Sequence, residues 1–164
     1  NLHGLPVACL RVLGPAALRG WSGEPAALDA KALRFIGIRS VDAAEKLAIR
    51  NLGLQVFDMR HIDENGMRVT MTEVLGDIDD NTHLHVSFDL DCLDPADAPG
   101  VGTGVRGGPT YREMQLCMEM IADTGRLGSL DVVELNPALD VRNTTAEVAV
   151  ELIESLFGKS TLAR

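Results

Sequence analysis

Four short runs of nearly unbroken apolar residues, Leu33 to Ile38, Leu54 to Met59, Leu84 to Leu90 and Leu127 to Leu135, constrain this chain more than any other feature. A strand with one face in water alternates apolar and polar side chains, so continuous Val, Ile, Leu and Phe mark strands covered on both faces. Residues 4–13 and 42–51 have helical composition, and further helical stretches at about 72–79, 110–123 and 144–157 separate the later runs. Asp42 with Glu45 three residues on is an N-terminus signature for the helix at 42–51. The β-α-β-α rhythm predicts an α/β fold with a parallel sheet flanked by helices. No internal repeat, low-complexity tract or linker-like charge run divides the chain, so the expectation is one domain or part of one.

Composition narrows the functional classes. A chain of 164 residues that is 46% hydrophobic and 24% charged is that of an ordinary globular domain. Its net charge of -9 argues against nucleic acid or an anionic membrane as partner, whereas a cation would be attracted. Cys9, Cys92 and Cys117 lack C-x-x-C spacing and are expected as reduced thiols. Without a membrane-length apolar stretch or a basic, apolar leader, a cytoplasmic location is expected. The chain begins at Asn1 without an initiator methionine, and we expect that something upstream has been removed.

In open α/β sheets, ligands sit beyond the carboxyl ends of the strands, and polar residues collect there. Arg39-Ser40-Val41-Asp42 follows the first run, Asp89-Leu90-Asp91 closes the third and Glu134-Leu135-Asn136-Pro137 closes the fourth. The densest signal is His85-Val86-Ser87-Phe88-Asp89-Leu90-Asp91-Cys92-Leu93-Asp94-Pro95. Buried carboxylates need a cation or hydrogen bonds to offset lost hydration. Asp89 and Asp91, two apart on a strand, would point the same way and could bind hard divalent ions such as Mg²⁺ or Mn²⁺. Two such ions roughly 3.5–4 Å apart can share one carboxylate. Equally, the aspartates could cap the next helix or brace a turn through Asp94-Pro95. Spacing alone leaves both readings open and does not name a reaction.

The run from Ser87 to Pro95, followed by Pro99-Gly100-Val101-Gly102-Thr103 and Gly107-Gly108-Pro109-Thr110-Tyr111-Arg112-Glu113, resembles the ureohydrolase signature. That family comprises arginases, agmatinases, formiminoglutamases and related amidinohydrolases, and the likeness runs through the closing Asp131 to Pro137 segment. It implies a three-layer α/β/α fold and a two-manganese centre. It matches Asp89 to the carboxylate bridging two Mn²⁺ ions and Asp91 to a ligand of one of them. His3 in Asn1-Leu2-His3-Gly4 resembles the family's proton-shuttling histidine, a role suited to an imidazole pKa near neutrality. Glu134 matches the carboxylate facing the substrate guanidinium, which a carboxylate can accept bidentately. Thr103 matches a threonine lining the same pocket. Without the motif, His3 would read as an exposed bystander and Glu134 as a strand-end salt bridge.

Ser40-Val41-Asp42-Ala43-Ala44-Glu45 resembles the V-D-x-x-E loop of the arginase branch, whose acids recognise a substrate α-amino group; a simple helix cap is the competing reading. The resemblance therefore implies hydrolysis of L-arginine to L-ornithine and urea. Agmatinase, formiminoglutamase and a non-catalytic fragment or paralogue that binds other subunits are the alternatives. Residues 1–164 read as the C-terminal portion of a single ureohydrolase domain. The family's upstream histidine and D-A-H-x-D ligands have no match here, so little activity is expected from the chain alone, together with an exposed strand edge prone to association. Homotrimers or hexamers are implied by the resemblance. His61, His83 and His85 match no ligand position, and His85 is expected as a satisfied core histidine.

Overall fold

The computed structural model describes Cys9 and residues 28–162. The expected helix at 4–13 therefore lies outside the described residues, Cys9 excepted. The chain forms two compact units: Asn1–Phe35 with Val41–Val56, and Ile36–Ser40 with Phe57–Arg164. Its elements run β1 (Arg34–Ile38), α1 (Ala43–Leu52), β2 (Gln55–Asp58), α2 (Met59–Val74), β3 (Leu84–Asp89), a 3-10 turn (Leu90–Cys92), α3 (Tyr111–Asp123), β4 (Leu127–Val133) and α4 (Thr144–Leu156). The mixed α/β class is as the apolar runs predict.

Local chemistry sets most boundaries. Asp42 caps α1, accepting from Glu45 N while the Glu45 side chain accepts from Asp42 N, both at 2.8 Å. Thr110 and Glu113 form the same reciprocal box at the start of α3. These bonds satisfy N–H groups that a helix's first turn otherwise leaves unpaired. Helix α2 departs from expectation. Predicted at 72–79, it instead starts directly after β2, where Asp58 accepts from His61 N at 2.8 Å, and ends at Val74. Gly66, at φ 79°, breaks it into two helical pieces.

β1 and β2 form one two-stranded sheet and β3 and β4 another. The β3–β4 pair is parallel, with Ser87 opposite Asp131 and Asp89 opposite Val133. A register shift between Leu84 and His85 accommodates Gly128, where an added Cβ would lie 2.4 Å from the His83 ring. Only glycine lets the ring lie that close to the strand.

In the larger unit, α3 packs against α2 and α4. Met67, Met71 and Val74 of α2, Met114, Met118 and Ile121 of α3, and Leu152 and Leu156 of α4 bury their side chains with Phe88 of β3. Leu84 and Val86 pack onto this core, whereas His85 and Ser87 are exposed. The expectation of continuous two-sided burial is thus corrected: β3 alternates, and most of β4 is exposed. His85 is corrected with it. Rather than a core histidine, it lies on the open face, its ring nitrogens 2.8 Å from Ser129 Oγ and 2.9 Å from Asp131 Oδ2. Ser87 Oγ donates to the other Asp131 oxygen at 2.7 Å, and His83 Nε2 lies 3.0 Å from Ser129 Oγ. An apolar run in sequence conceals these polar side chains because they share alternate positions of one strand.

The three cysteines are free, as expected. Among the described residues, no helix is long and apolar enough to cross a membrane.

Candidate functional site

Asp89 is the last residue of β3 and the N-cap of the 3-10 turn, its Oδ1 accepting from Asp91 N at 3.1 Å. The strand stops there, so Asp91 lies within the turn. Turn geometry, not strand alternation, therefore sets the direction of Asp91, and Asp89 caps the turn as the sequence allowed. Burial, reinforced by repulsion from Asp91 and Glu134, pushes the Asp89 carboxyl up to about 6, against the opposing effect of its bond from the Asp91 amide. Proximity of two further acids to one half-buried carboxyl raises the cost of ionising it.

Asp91 is anchored from the side. Thr103 Oγ1 donates to Asp91 Oδ2 at 2.7 Å. The loop carrying Thr103 is fixed at Gly100, whose N–H donates to Thr145 Oγ1 at 2.7 Å and whose carbonyl accepts from Asn136 N at 2.8 Å. Thr145 is fully buried at the start of α4, and Asp140 accepts from Thr145 N and Ala146 N. The helix start and the loop therefore position one another.

Glu134 follows β4 immediately and adopts φ 69°, a left-handed conformation that a side chain with a Cβ disfavours. Its Oε2 lies 3.7 Å from where a Cβ on Gly102 would stand. A strained polar residue held at a strand end is characteristic of a functional constraint.

Asp94 closes the turn, its carboxylate accepting from Ala96 N at 2.9 Å and Gly107 N at 2.7 Å. These amide donors hold its carboxyl below the ordinary aspartate range. Gly108 presses on the same turn: an added Cβ would sit 2.4 Å from Cys92 O, 2.6 Å from Leu93 C and 2.7 Å from Asp94 N. Burial pushes the Cys92 thiol well above its usual range, so it remains protonated near neutrality.

The structure thus brings Asp89, Asp91, Thr103 and Glu134 together in the larger unit. Asp42 and Glu45 belong to the smaller unit, where each serves the reciprocal cap of α1. His3 lies outside the described residues. The bracing by Thr145, Asn136 and Gly108 escaped the sequence reading; the signal available was only the spacing of Gly100 and Gly108 within the matched motif.

The donor set has the chemistry of a hard-cation site. Asp89 and Asp91 offer carboxylate oxygens, and their repulsion with Glu134 is what a divalent ion would relieve. The set is partial. Among the described residues, no three His, Cys, Asp or Glu side chains gather closely enough to hold a metal ion themselves.

A family model described as "Arginase family" matches residues 1–158. Arginase from Bacillus caldovelox is 44% identical over 163 residues, a match covering 99% of this chain and 54% of that protein. The crystal structure of arginase from Bacillus subtilis superposes with a TM-score of 0.94 at 43% identity, covering 99% of this chain and 58% of that one. A hypothetical agmatinase from Burkholderia thailandensis gives 0.69 at 32% identity, over 80% of this chain and 39% of that one. The chain spans about half the length of the curated relatives it matches.

Proposed function

This chain belongs to the arginase family, and from that premise we propose that it is the C-terminal part of a single-domain, manganese-dependent arginase hydrolysing L-arginine to L-ornithine and urea. The observation that carries the reading is the convergence of Asp89, Asp91, Thr103 and Glu134 beyond the ends of β3 and β4, with Glu134 held at φ 69°.

Each residue has a definite task. Asp89 and Asp91 would hold two Mn²⁺ ions together with ligands from the family's upstream half. When bound, manganese supplies Lewis acidity that makes water nucleophilic at moderate pH. Thr103 donates to one Asp91 oxygen and so fixes the carboxylate's rotation, leaving the other oxygen to face a cation. Glu134 accepts the paired N–H donors of the planar guanidinium and orients its carbon for attack. His3 carries protons between the site and solvent as the tetrahedral species collapses to urea and ornithine. Asp42 and Glu45 recognise the α-amino group with the acceptor capacity their cap leaves over, since an ionised carboxylate accepts more than one bond. The proposal includes a cytoplasmic setting and a homotrimer or hexamer, and it excludes nucleic acid and membrane as partners.

A second reading, with agmatine as substrate, draws on the commitment of Asp42 and Glu45 to the α1 cap. The greater structural likeness to arginase than to agmatinase favours the first. Comparing kcat/KM for L-arginine and agmatine, with Mn²⁺ present, separates them. The arginase reading expects a clear preference for L-arginine that shrinks in Asp42→Ala; preference for agmatine would overturn the roles of Asp42 and Glu45.

A further inference from the structure

The turn that carries Asp91 is held by an arginine that touches no carboxylate there. Arg39, just beyond β1, donates through Nη2 to Asp91 O at 2.9 Å and Leu93 O at 3.1 Å, and through Nη1 to Cys92 O at 2.9 Å. Its Nε donates to Val105 O at 2.9 Å, on the loop between Thr103 and Gly107. A weaker contact from Nη1 to Gly37 O at 3.4 Å ties the fork back to its own strand.

Three consecutive carbonyls rarely face one cation. They do so here because the Leu90–Cys92 turn ends with unpaired acceptors, and a flat fork of five N–H donors matches several of them at once. Gly108 and Pro109 also pack against the turn, with Asp94 N donating to Pro109 O at 3.3 Å. The backbone between Asp91 and Asp94 is thus held by Arg39 and by the Gly108–Pro109 segment. The same guanidinium reaches the Val105 loop, two residues beyond the threonine that bonds the Asp91 carboxylate.

We propose that Arg39 is a positioning residue for the metal-facing carboxylates: by gripping the carbonyls of Asp91, Cys92, Leu93 and Val105, it sets the distance between the Asp91 turn and the Thr103 loop, and so the direction of the Asp91 carboxylate. This rests on the reading of Asp91 as a manganese ligand. Its action is through geometry. A lysine, with compact point charge, would keep the charge and lose the simultaneous grip on both segments.

The test is Arg39→Lys and Arg39→Gln in the complete reading frame, with Mn²⁺ affinity measured by titration followed by electron paramagnetic resonance, beside Tm and steady-state kinetics. Both variants are expected to fold and to bind Mn²⁺ about tenfold or more weakly, in the range lost when a residue orienting a ligand is removed. At saturating Mn²⁺, KM for L-arginine should change by less than roughly threefold, because Arg39 makes no substrate contact in this account. Lys giving wild-type Mn²⁺ affinity would overturn the proposal, as would a fall in Tm with affinity unchanged. Failure of both variants to fold would also overturn it, since Arg39 would then serve the fold at large. A parent protein that binds Mn²⁺ yet releases no urea would overturn the activity reading alone; one that binds no Mn²⁺ would overturn both.

Discussion

Replacing Gly108 by alanine tests whether the Asp91 turn is as closely held as its geometry indicates. The new Cβ would meet three backbone atoms, Cys92 O at 2.4 Å, Leu93 C at 2.6 Å and Asp94 N at 2.7 Å, where ordinary contact begins at 3.4 Å. Relief therefore requires the two backbone segments to part by roughly 0.7–1.0 Å, because none of these atoms can rotate away as a flexible side chain would. Overpacking of this kind costs about 1–3 kcal/mol. For a chain of this size that corresponds to a fall in Tm of roughly 2–12 °C, at about 2–4 °C per kcal/mol. The assay is reversible thermal or urea unfolding of the metal-free chain, with Mn²⁺ titration of the same variant in the complete reading frame. Stability should fall by that amount and Mn²⁺ affinity with it, since separation of Gly108 from Cys92 disturbs the Arg39 bonds to the same turn. A variant within about 0.5 kcal/mol of the parent, with its Mn²⁺ affinity intact, would refute the reasoning, that being the range of an unconstrained surface change.

Other expectations follow from the same geometry. The raised pKa of Asp89 means that the metal-free folded state holds its proton more tightly than the unfolded chain, whose aspartate has its ordinary value of 3.8. Its contribution therefore destabilises the metal-free protein progressively as pH rises from about 4 through about 6, and Mn²⁺ should restore stability above that window; urea unfolding across pH checks both. Glu134→Gln should lower the Asp89 pKa by removing one repulsion, measurable by NMR titration, while largely abolishing urea release; an unchanged pKa would contradict their proximity. Thr145→Ala should cost about 1–3 kcal/mol by leaving the Gly100 N–H without its buried acceptor, seen as a lower urea midpoint.

Much of the scaffold was legible because it is written locally. Apolar runs mark the four described strands to within two residues, and Asp42-x-x-Glu45 marks a helix start through bonds spanning three residues. Asp89 and Asp91 stand out because carboxylates at the end of an apolar run conflict with burial. What failed depends on partners distant in sequence. Arg39 meets carbonyls 52 to 54 residues away, and backbone acceptors carry no residue-type signature. His85 finds Ser129 and Asp131 only once β3 pairs with β4 in a register shifted at Gly128. The left-handed backbone of Glu134 is likewise invisible, since glutamate is not a residue that usually signals it. Helix α2 was misplaced because Met59 extends the apolar run of β2 and Gly66 interrupts the helical pattern.

The most direct test of the account is Mn²⁺-dependent urea release from L-arginine by the complete reading frame and by its Asp89→Ala variant, each with its bound manganese counted. The account predicts two Mn²⁺ per active site and urea release in the parent, both reduced in the variant; urea release undiminished by Asp89→Ala would contradict it.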